Sequence, residues 1–242
     1  QRDYRVRFRR TLLGVIWFLV PLFSMVFLAM YIGKDLGLYA SRTSSTYFVQ
    51  LLSGLNVWQL FAVAWVEPLR IGRRANMLLR AVVFDENTLL GAGVISSLIA
   101  FAIKLPVLIS VMVYLGYPVH MTVFASPLAL IGVLLAGSTM ASLTLPVSLA
   151  LLDIRYGVPF VQYLLLFATP ILYPPPNGGL VAVINKFNPI AQIVVPARDV
   201  IVGDLVNTGK LVLLVLLITI IFIFALQYFQ SKFRLAVAYI GR

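Results

Sequence analysis

The sequence predicts an all-α integral membrane protein, and three observations predict this fold class. Hydrophobic residues make up 61% of the 242 residues and charged residues only 11%, too few to cover a water-soluble surface. The mean hydropathy is +1.00. Apolar runs near the length that spans a bilayer alternate with short polar connections. No internal repeat or flexible linker divides the chain, so we treat residues 1–242 as a single membrane domain.

Two features of the composition exclude other classes of protein. The chain has no cysteine, which excludes disulfides, thiolate catalysis and zinc-thiolate sites. The formal net charge is +11, but the basic residues occur in short runs between apolar segments, as topology signals do. We therefore expect a membrane environment and no nucleic-acid partner.

Six apolar segments are long enough to cross a bilayer, since this takes about 20 helical residues. In chain order they are residues 11–32, 46–66, 88–115, 121–151, 156–173 and 209–230. The third and fourth exceed that length, so we expect them to tilt, to bend at Pro106 and Pro146, or to protrude. If the fifth begins near Arg155, Pro159 falls in its first turn, where backbone N–H groups lack helical partners anyway.

The distribution of Lys and Arg predicts that both termini are cytoplasmic. The N-terminal stretch before segment one, which we expect to lie at the membrane interface, is rich in arginine. The basic residues on the predicted cytoplasmic side are Arg2, Arg5, Arg7, Arg9, Arg10, Arg70, Arg73, Arg74, Arg80, Arg155, Lys232, Arg234 and Arg242. The other side has fewer: Lys34, Arg42, Lys186, Arg198 and Lys210. On this topology, Asp153 and Arg155 form a tight cytoplasmic turn.

The cytoplasmic connection after segment two predicts a short amphipathic helix. Apolar residues recur there at helical spacing, with arginines mainly on the other positions; they are Ala75, Leu78, Leu79, Val82 and Val83. Such a helix could anchor on anionic headgroups or dock into a groove on a partner. The pattern leaves both alternatives open.

The stretch after the prolines at 174–176 is apolar enough to touch lipid but is broken at Asn188-Pro189 and at Pro196. We expect two short helices that lie at, or dip into, the outer interface, because helices satisfy their own backbone where water is scarce. An ordinary extracytoplasmic loop is the alternative.

Motifs for nucleotide binding, catalysis and ion coupling are missing from the sequence. The nearest approach to a phosphate loop, GDLVNTGK at 203–210, has the wrong glycine spacing and Leu211 in place of Ser or Thr. The acids lie at segment ends or in loops, where they offer no intramembrane proton relay, and His120 is predicted to be a loop residue. Only Lys104 falls deep in a segment, as either a pore-facing residue or a snorkelling or partnered structural residue.

Aromatic residues line one face of two predicted helices. Tyr156, Phe160, Tyr163 and Phe167 share a narrow stripe on segment five, and Tyr47, Trp58, Phe61 and Trp65 share one on segment two. Aromatic faces stack against sugar rings and would let a glycan slide. Helix packing and interfacial aromatic belts account for the same spacing.

Four stretches, in order along the chain, resemble the permease subunits of ABC-2 type exporters, especially those for O-antigen, teichoic acid and capsule-like polysaccharides. They are RDYRVRFRRTLLGVIWFLVPL (2–22), RANMLLRAVVFDENTL, DIRYGVPFVQYLLLFATPILYP and NPIAQIVVPARDVIVGD. The second is similar to the family's cytoplasmic coupling region, except that Asp85-Glu86 follows Phe84 where Pro-Arg is common. The third resembles the fifth-span signature, and the fourth the Asn-Pro segment after it.

The resemblance implies a function and assigns residues to it. The chain would pair with a second copy of itself and with a separate ATP-binding subunit to export a lipid-linked polysaccharide across the cytoplasmic membrane of a bacterium or archaeon, without a cofactor, metal or catalytic residue of its own. The coupling residues would be Arg74, Asn76, Leu79, Arg80 and Phe84. Trp58, Phe61, Tyr156, Phe160, Tyr163 and Phe167 would line the translocation path, and Asn188, Pro189, Arg198 and Asp199 would belong to outer gate helices.

Three alternatives remain open. An ABC-2 exporter of a drug or lipid would share the same fold. An ion-coupled carrier should respond to an ion gradient, and a membrane-embedded glycan enzyme would need convergent acids or an activated nucleophile inside the bundle.

Overall fold

The computed structural model describes residues 16–35, 44–74, 86–118, 120–151, 153–174, 178–204 and 207–240, and each regular element within these ranges is a helix. The helices are α1 (Ile16–Asp35), α2 (Ser44–Arg74), α3 (Asn87–Tyr114), α4 (Ser126–Ala150), α5 (Ile154–Phe167), α6 (Gly179–Phe187), α7 (Pro189–Val202) and α8 (Thr208–Ile240), with a 3₁₀ turn at Met121–Ala125 before α4. The prediction of an all-α protein is confirmed.

Several of these helices are able to cross a membrane. By length and composition, α2, α3, α8 and α4 with its 3₁₀ turn all qualify, and α6 and α7, which meet at 89°, add a fifth candidate if the bent pair is one span. The described ranges therefore hold four or five candidate membrane-spanning helices, as expected for a multi-pass membrane protein.

α5 is shorter than the predicted segment 156–173. It has 14 residues, or about 21 Å, against a hydrocarbon thickness of about 30 Å. The helix ends at Phe167 because Pro170 disfavours a helical conformation at Thr169 and supplies no N–H. The expectation for Pro159 is also wrong. Since the helix begins at Ile154, Pro159 is in the second turn, where it removes a bond to the Arg155 carbonyl.

Other predicted boundaries differ as well. α2 continues through Pro68 to Arg74, and α8 runs ten residues past the predicted end at 230. α3 and α4 continue through Pro106 and Pro146. The predicted break at Asn188-Pro189 is present, but α7 continues through Pro196, because one missing N–H does not end a helix that is packed on both sides of the proline. α4 and α5 are joined by only three residues, so the predicted tight turn at Asp153 is present, but Arg155 already belongs to α5.

α2 lies at the centre of the molecule. It packs against α3, α4, α7 and α1, while α8 packs on α4. Glycine allows the closest crossing, because a Cβ on Gly137 of α4 would lie 2.7 Å from both the Ala64 Cβ and the Phe61 carbonyl oxygen of α2. The Trp65 indole also donates a hydrogen bond of 3.0 Å to the Thr144 hydroxyl, again between α2 and α4. The shorter helices α5, α6 and α7 attach to this bundle of long helices.

Candidate functional site

The residues predicted for the gate meet the end of α5 in a compact cluster, which we call the α5–α7 junction: Thr169, Pro170, Asn188, Arg198 and Asp199. The turn after α5 supplies Thr169 and Pro170. The start of α7 supplies Asn188, and its last turns supply Arg198 and Asp199. The junction therefore fixes both ends of α7 relative to the end of α5.

Asn188 begins α7 and binds the turn after α5 at the same time. Its side-chain oxygen accepts hydrogen bonds from the Ile190 and Ala191 N–H groups at 3.0 and 3.3 Å. Pro189 occupies the first helical position, where its missing N–H costs nothing. The Asn188 amide nitrogen donates to the Ala168 carbonyl and to the Thr169 hydroxyl, both at 3.1 Å. One buried side chain thus serves as helix cap and tertiary link.

Arg198 makes the second link between α7 and α5. Its side chain is buried, and Nη1 donates to the Pro170 carbonyl at 2.9 Å. Nε and Nη2 donate to Asp199 Oδ1 at 2.8 and 2.6 Å. A guanidinium at this depth needs its charge paired and its N–H groups bonded. Asp199 pairs the charge, and Asp199 and Pro170 both accept hydrogen bonds from its N–H groups.

α2 packs against the α5–α7 junction. A Cβ on Gly54 would lie 2.9 Å from Ile171 Cγ2 and 3.1 Å from Arg198 Cδ, so the glycine makes room for the arginine stem. The Tyr47 hydroxyl donates to the Leu172 carbonyl, and the Gln50 amide donates to Asp204 at 3.2 Å. The chain segments that follow α5 and α7 are therefore both bonded to the first turns of α2.

The aromatic stripe of α5 faces away from the bundle. Tyr156, Phe160, Tyr163 and Phe167 are 73%, 64%, 61% and 61% exposed. The opposite face carries the buried Val158 and Leu166, together with Gln162, whose amide donates to the Ala62 carbonyl of α2 at 3.0 Å. Within the described ranges, packing against other helices therefore does not account for the exposed rings of Phe160, Tyr163 and Phe167.

The two aromatic residues that the path prediction places on α2 have different surroundings. Trp58 and Phe61 are buried, and their rings lie 5.2 Å apart in a tilted arrangement. Phe61 also contacts Trp65, with the ring centres 5.8 Å apart. In this structure the two α2 rings belong to the helix-packing core, whereas the predicted path residues of α5 are exposed.

Lys104 is buried between α3 and α2 and is only 5% exposed. Its ammonium donates a hydrogen bond to the Gln59 side-chain oxygen of α2. A snorkelling lysine would keep its charged head in water. Of the two alternatives, the structure favours a partnered residue inside the bundle.

The predicted coupling residues lie almost entirely outside the described ranges. Arg74 is the last residue of α2. Asn76, Leu79, Arg80 and Phe84 fall in the gap at 75–85, so their assignment remains a prediction. Within the described ranges, no group of three or more acidic, His or Cys side chains could hold a metal ion.

Several residues of the site were missed from the sequence. Thr169, Gly54 and Asp204 give no local signal, because their roles depend on residues far away in the chain. A signal was available in predicted segment two, where polar side chains recur every third residue: Gln50, Ser53, Asn56 and Gln59. Polar residues repeated inside an apolar segment indicate contacts that the sequence pattern alone does not identify.

His120 lies against the end of α7. A Cβ on Gly203 would overlap the His120 ring. Gly203 also has a φ of 92°, which favours glycine. The predicted role of His120 as a connecting residue agrees with its position just before the 3₁₀ turn.

No protein-family model matches the chain, and no curated protein sequence matches it at a significant level.

Proposed function

We propose that the chain is the membrane-spanning subunit of an ABC-2 type exporter that moves a lipid-linked polysaccharide across the cytoplasmic membrane. A separate subunit would hydrolyse ATP, and a second copy of the chain would complete the transport path. The proposal rests on the four stretches that resemble the family. The observation that carries it in the structure is the exposed aromatic face of α5 beside the α5–α7 junction.

That face is a poor surface for lipid alone. The stripe runs from Tyr156 to Phe167, about 16 Å along the helix, so its members do not share one interfacial level as an aromatic belt does. The hydroxyl of Tyr163 would meet hydrocarbon, where polar groups are costly. A path that carries a hydrated sugar chain satisfies both the rings and the hydroxyl groups.

In the proposed arrangement six segments cross the membrane, both termini are cytoplasmic, and α6 and α7 form the re-entrant gate. α1 would be the first span and α5 the fifth. Asn188 and Arg198 would link the end of α5 to α7. The 89° bend between α6 and α7 supports a re-entrant pair, because a helix pair bent so sharply can enter and leave the same interface.

A reconstitution experiment tests the proposal. The chain is purified alone and together with a candidate ATP-binding ABC subunit, then placed in liposomes that contain a lipid-linked glycan. We expect ATP turnover and glycan transport only with the partner present. Turnover by the chain alone, or transport driven by an ion gradient without ATP, would contradict the proposal. Transport of a fluorescent lipid or drug, but not the glycan, would favour the alternative ABC-2 cargo.

A further inference from the structure

Lys104 carries a buried charge with only a neutral partner. Its ammonium has three N–H donors, and the one hydrogen bond found goes to the Gln59 amide oxygen. Within the described ranges two ion pairs occur, Arg70 with Glu67 and Arg198 with Asp199. Neither compensates the charge of Lys104.

An uncompensated charge at this position is costly. Buried charges in proteins are paired or hydrogen-bonded, since the loss of hydration is otherwise not repaid. The Gln59 amide offers a dipole but no negative charge. The bundle therefore lacks a counter-ion for Lys104 among the side chains described.

Asn56 lies one helical turn before Gln59 on α2 and is only 1% exposed. Neither its amide nitrogen nor its amide oxygen has a hydrogen-bond partner. An unsatisfied buried amide is rare because it loses its bonds to water without replacement. Lys104 and Asn56 are thus two buried polar groups on facing helices: among the residues described, Lys104 lacks a charged partner, and Asn56 lacks a hydrogen-bond partner.

The helix register brings these groups to the same level of the bundle. Gly93 of α3 lies against Pro68 of α2, and the helices run in opposite directions. Lys104 is eleven residues after Gly93 on α3. It therefore lies level with a position about eleven residues before Pro68 on α2, which is about residue 57. That level lies between Asn56 and Gln59.

We propose that Asn56, Gln59 and Lys104 form an internal binding site for a small monovalent anion of chloride size. The ammonium supplies the opposite charge, and the Asn56 amide N–H group supplies a second donor. Gln59 is only half-buried, so this side of the site is the route of entry. A halide suits the site because it is small and needs no fixed arrangement of donors. The proposal does not depend on the transport function.

The test is thermal unfolding of the purified full chain in nanodiscs of neutral lipid at constant ionic strength. Chloride or bromide replaces gluconate stepwise. Because an anion that binds only the folded state raises its stability, we expect the Tm to rise by about 5–10 °C at a halide concentration about 100 times Kd, and to saturate.

Three variants make the test specific. Gln59→Glu places a carboxylate where Lys104 already donates, so it should raise the Tm in gluconate and abolish the halide response. Lys104→Met should abolish the response without lowering the Tm in gluconate. The control Lys186→Met, at an exposed lysine near the end of α6, should respond as the wild type does.

Two results would overturn the proposal. One is an equal Tm of the wild type in halide and gluconate. An uncharged Lys104 amine would give this result, because it would not bind the anion. The other is a halide response that persists in Gln59→Glu. The glutamate variant keeps the proposal falsifiable even if Lys104→Met does not fold.

Discussion

At the scale of single residues, the exposed rings of α5 are the most direct test of a transport path. Tyr163→Leu with Phe167→Leu keeps the helix apolar and roughly conserves volume. If the two rings stack on the sugar, they contribute about 2 kcal/mol, so export per assembled complex should fall roughly tenfold or more. Assembly of the complex should remain intact. Transport of labelled glycan, normalised to assembled complex, measures the effect.

The control for this double variant is Phe224→Leu, which removes an exposed ring of α8 away from the stripe. It should export normally. If the α5 rings served packing, the double variant would instead lose thermal stability, and every activity would fall with the amount of folded protein. Normal export by the double variant would remove the two residues from the path.

A second residue-scale prediction concerns Asn188, which caps α7 and binds the turn after α5. Asn188→Ala should lower the free energy of unfolding by about 2–4 kcal/mol, because the cap and two tertiary acceptors are lost together. Asn207 is the matched control, since it caps α8 through the Lys210 N–H at an exposed site. Asn207→Ala should cost about 1 kcal/mol.

Denaturant or thermal unfolding of the two alanine variants in the same detergent compares their stabilities. Equal losses would show that the bonds from Asn188 to Ala168 and Thr169 add nothing to the cap. A larger loss for Asn188 would establish the junction as a stabilising link between α5 and α7.

At the scale of elements, the crossing of α2 and α4 depends on a missing side chain. A methyl group at Gly137 would overlap Ala64 and the Phe61 carbonyl, so Gly137→Ala should cost about 1–3 kcal/mol through overpacking. Gly91 of α3 provides the control, because a Cβ there meets nothing within 4 Å. Gly91→Ala should be neutral or up to about 1 kcal/mol stabilising, from helix propensity. Similar effects of the two substitutions on Tm would argue against close packing at Gly137.

The coupling stretch between α2 and α3 gives a second prediction for an element. If residues 73–84 dock into the ATP-binding partner, Leu79→Asp with Phe84→Asp should abolish partner-stimulated transport, since an unpaired carboxylate in an apolar groove is costly. The membrane domain should stay folded. Co-purification of the partner and ATPase stimulation measure docking.

Leu235→Asp is the control for these carboxylates, because it adds one at an exposed position of α8 outside the coupling stretch. It should leave co-purification unchanged. Normal complex formation by the Leu79 and Phe84 variant would favour the alternative in which this stretch only anchors on lipid headgroups.

At the scale of the whole molecule, the proposed topology can be tested without removing native thiols, since the chain contains no cysteine. Lys186→Cys, near the end of α6, should react with a membrane-impermeant maleimide in intact cells. Lys232→Cys, in the last part of α8, should react only after permeabilisation. The reverse pattern would invert the topology, and reaction of both from outside would exclude the proposed positions of α6 and α8.

The sequence by itself determined the fold class and much of the order of helices. Apolar runs of spanning length give helices in a membrane because each helix satisfies its own backbone where water is absent. The break at Asn188-Pro189 was visible for a similar local reason, since an asparagine followed by proline begins a helix. The end of α5 at Phe167 was harder to predict, because apolar residues continue through the turn that Thr169 and Pro170 introduce.

Only the tertiary structure decided what the polar and aromatic residues contact. Periodicity gave α2 and α5 similar aromatic stripes, yet Trp58 and Phe61 are buried while Tyr163 and Phe167 are exposed. The difference arises because α2 is surrounded by other helices and α5 packs by one face. The pairs Arg198 with Pro170, Asn188 with Thr169, and Lys104 with Gln59 join positions far apart in the chain. Local patterns do not encode such pairs, because the partner of a buried polar group is set by how the helices pack.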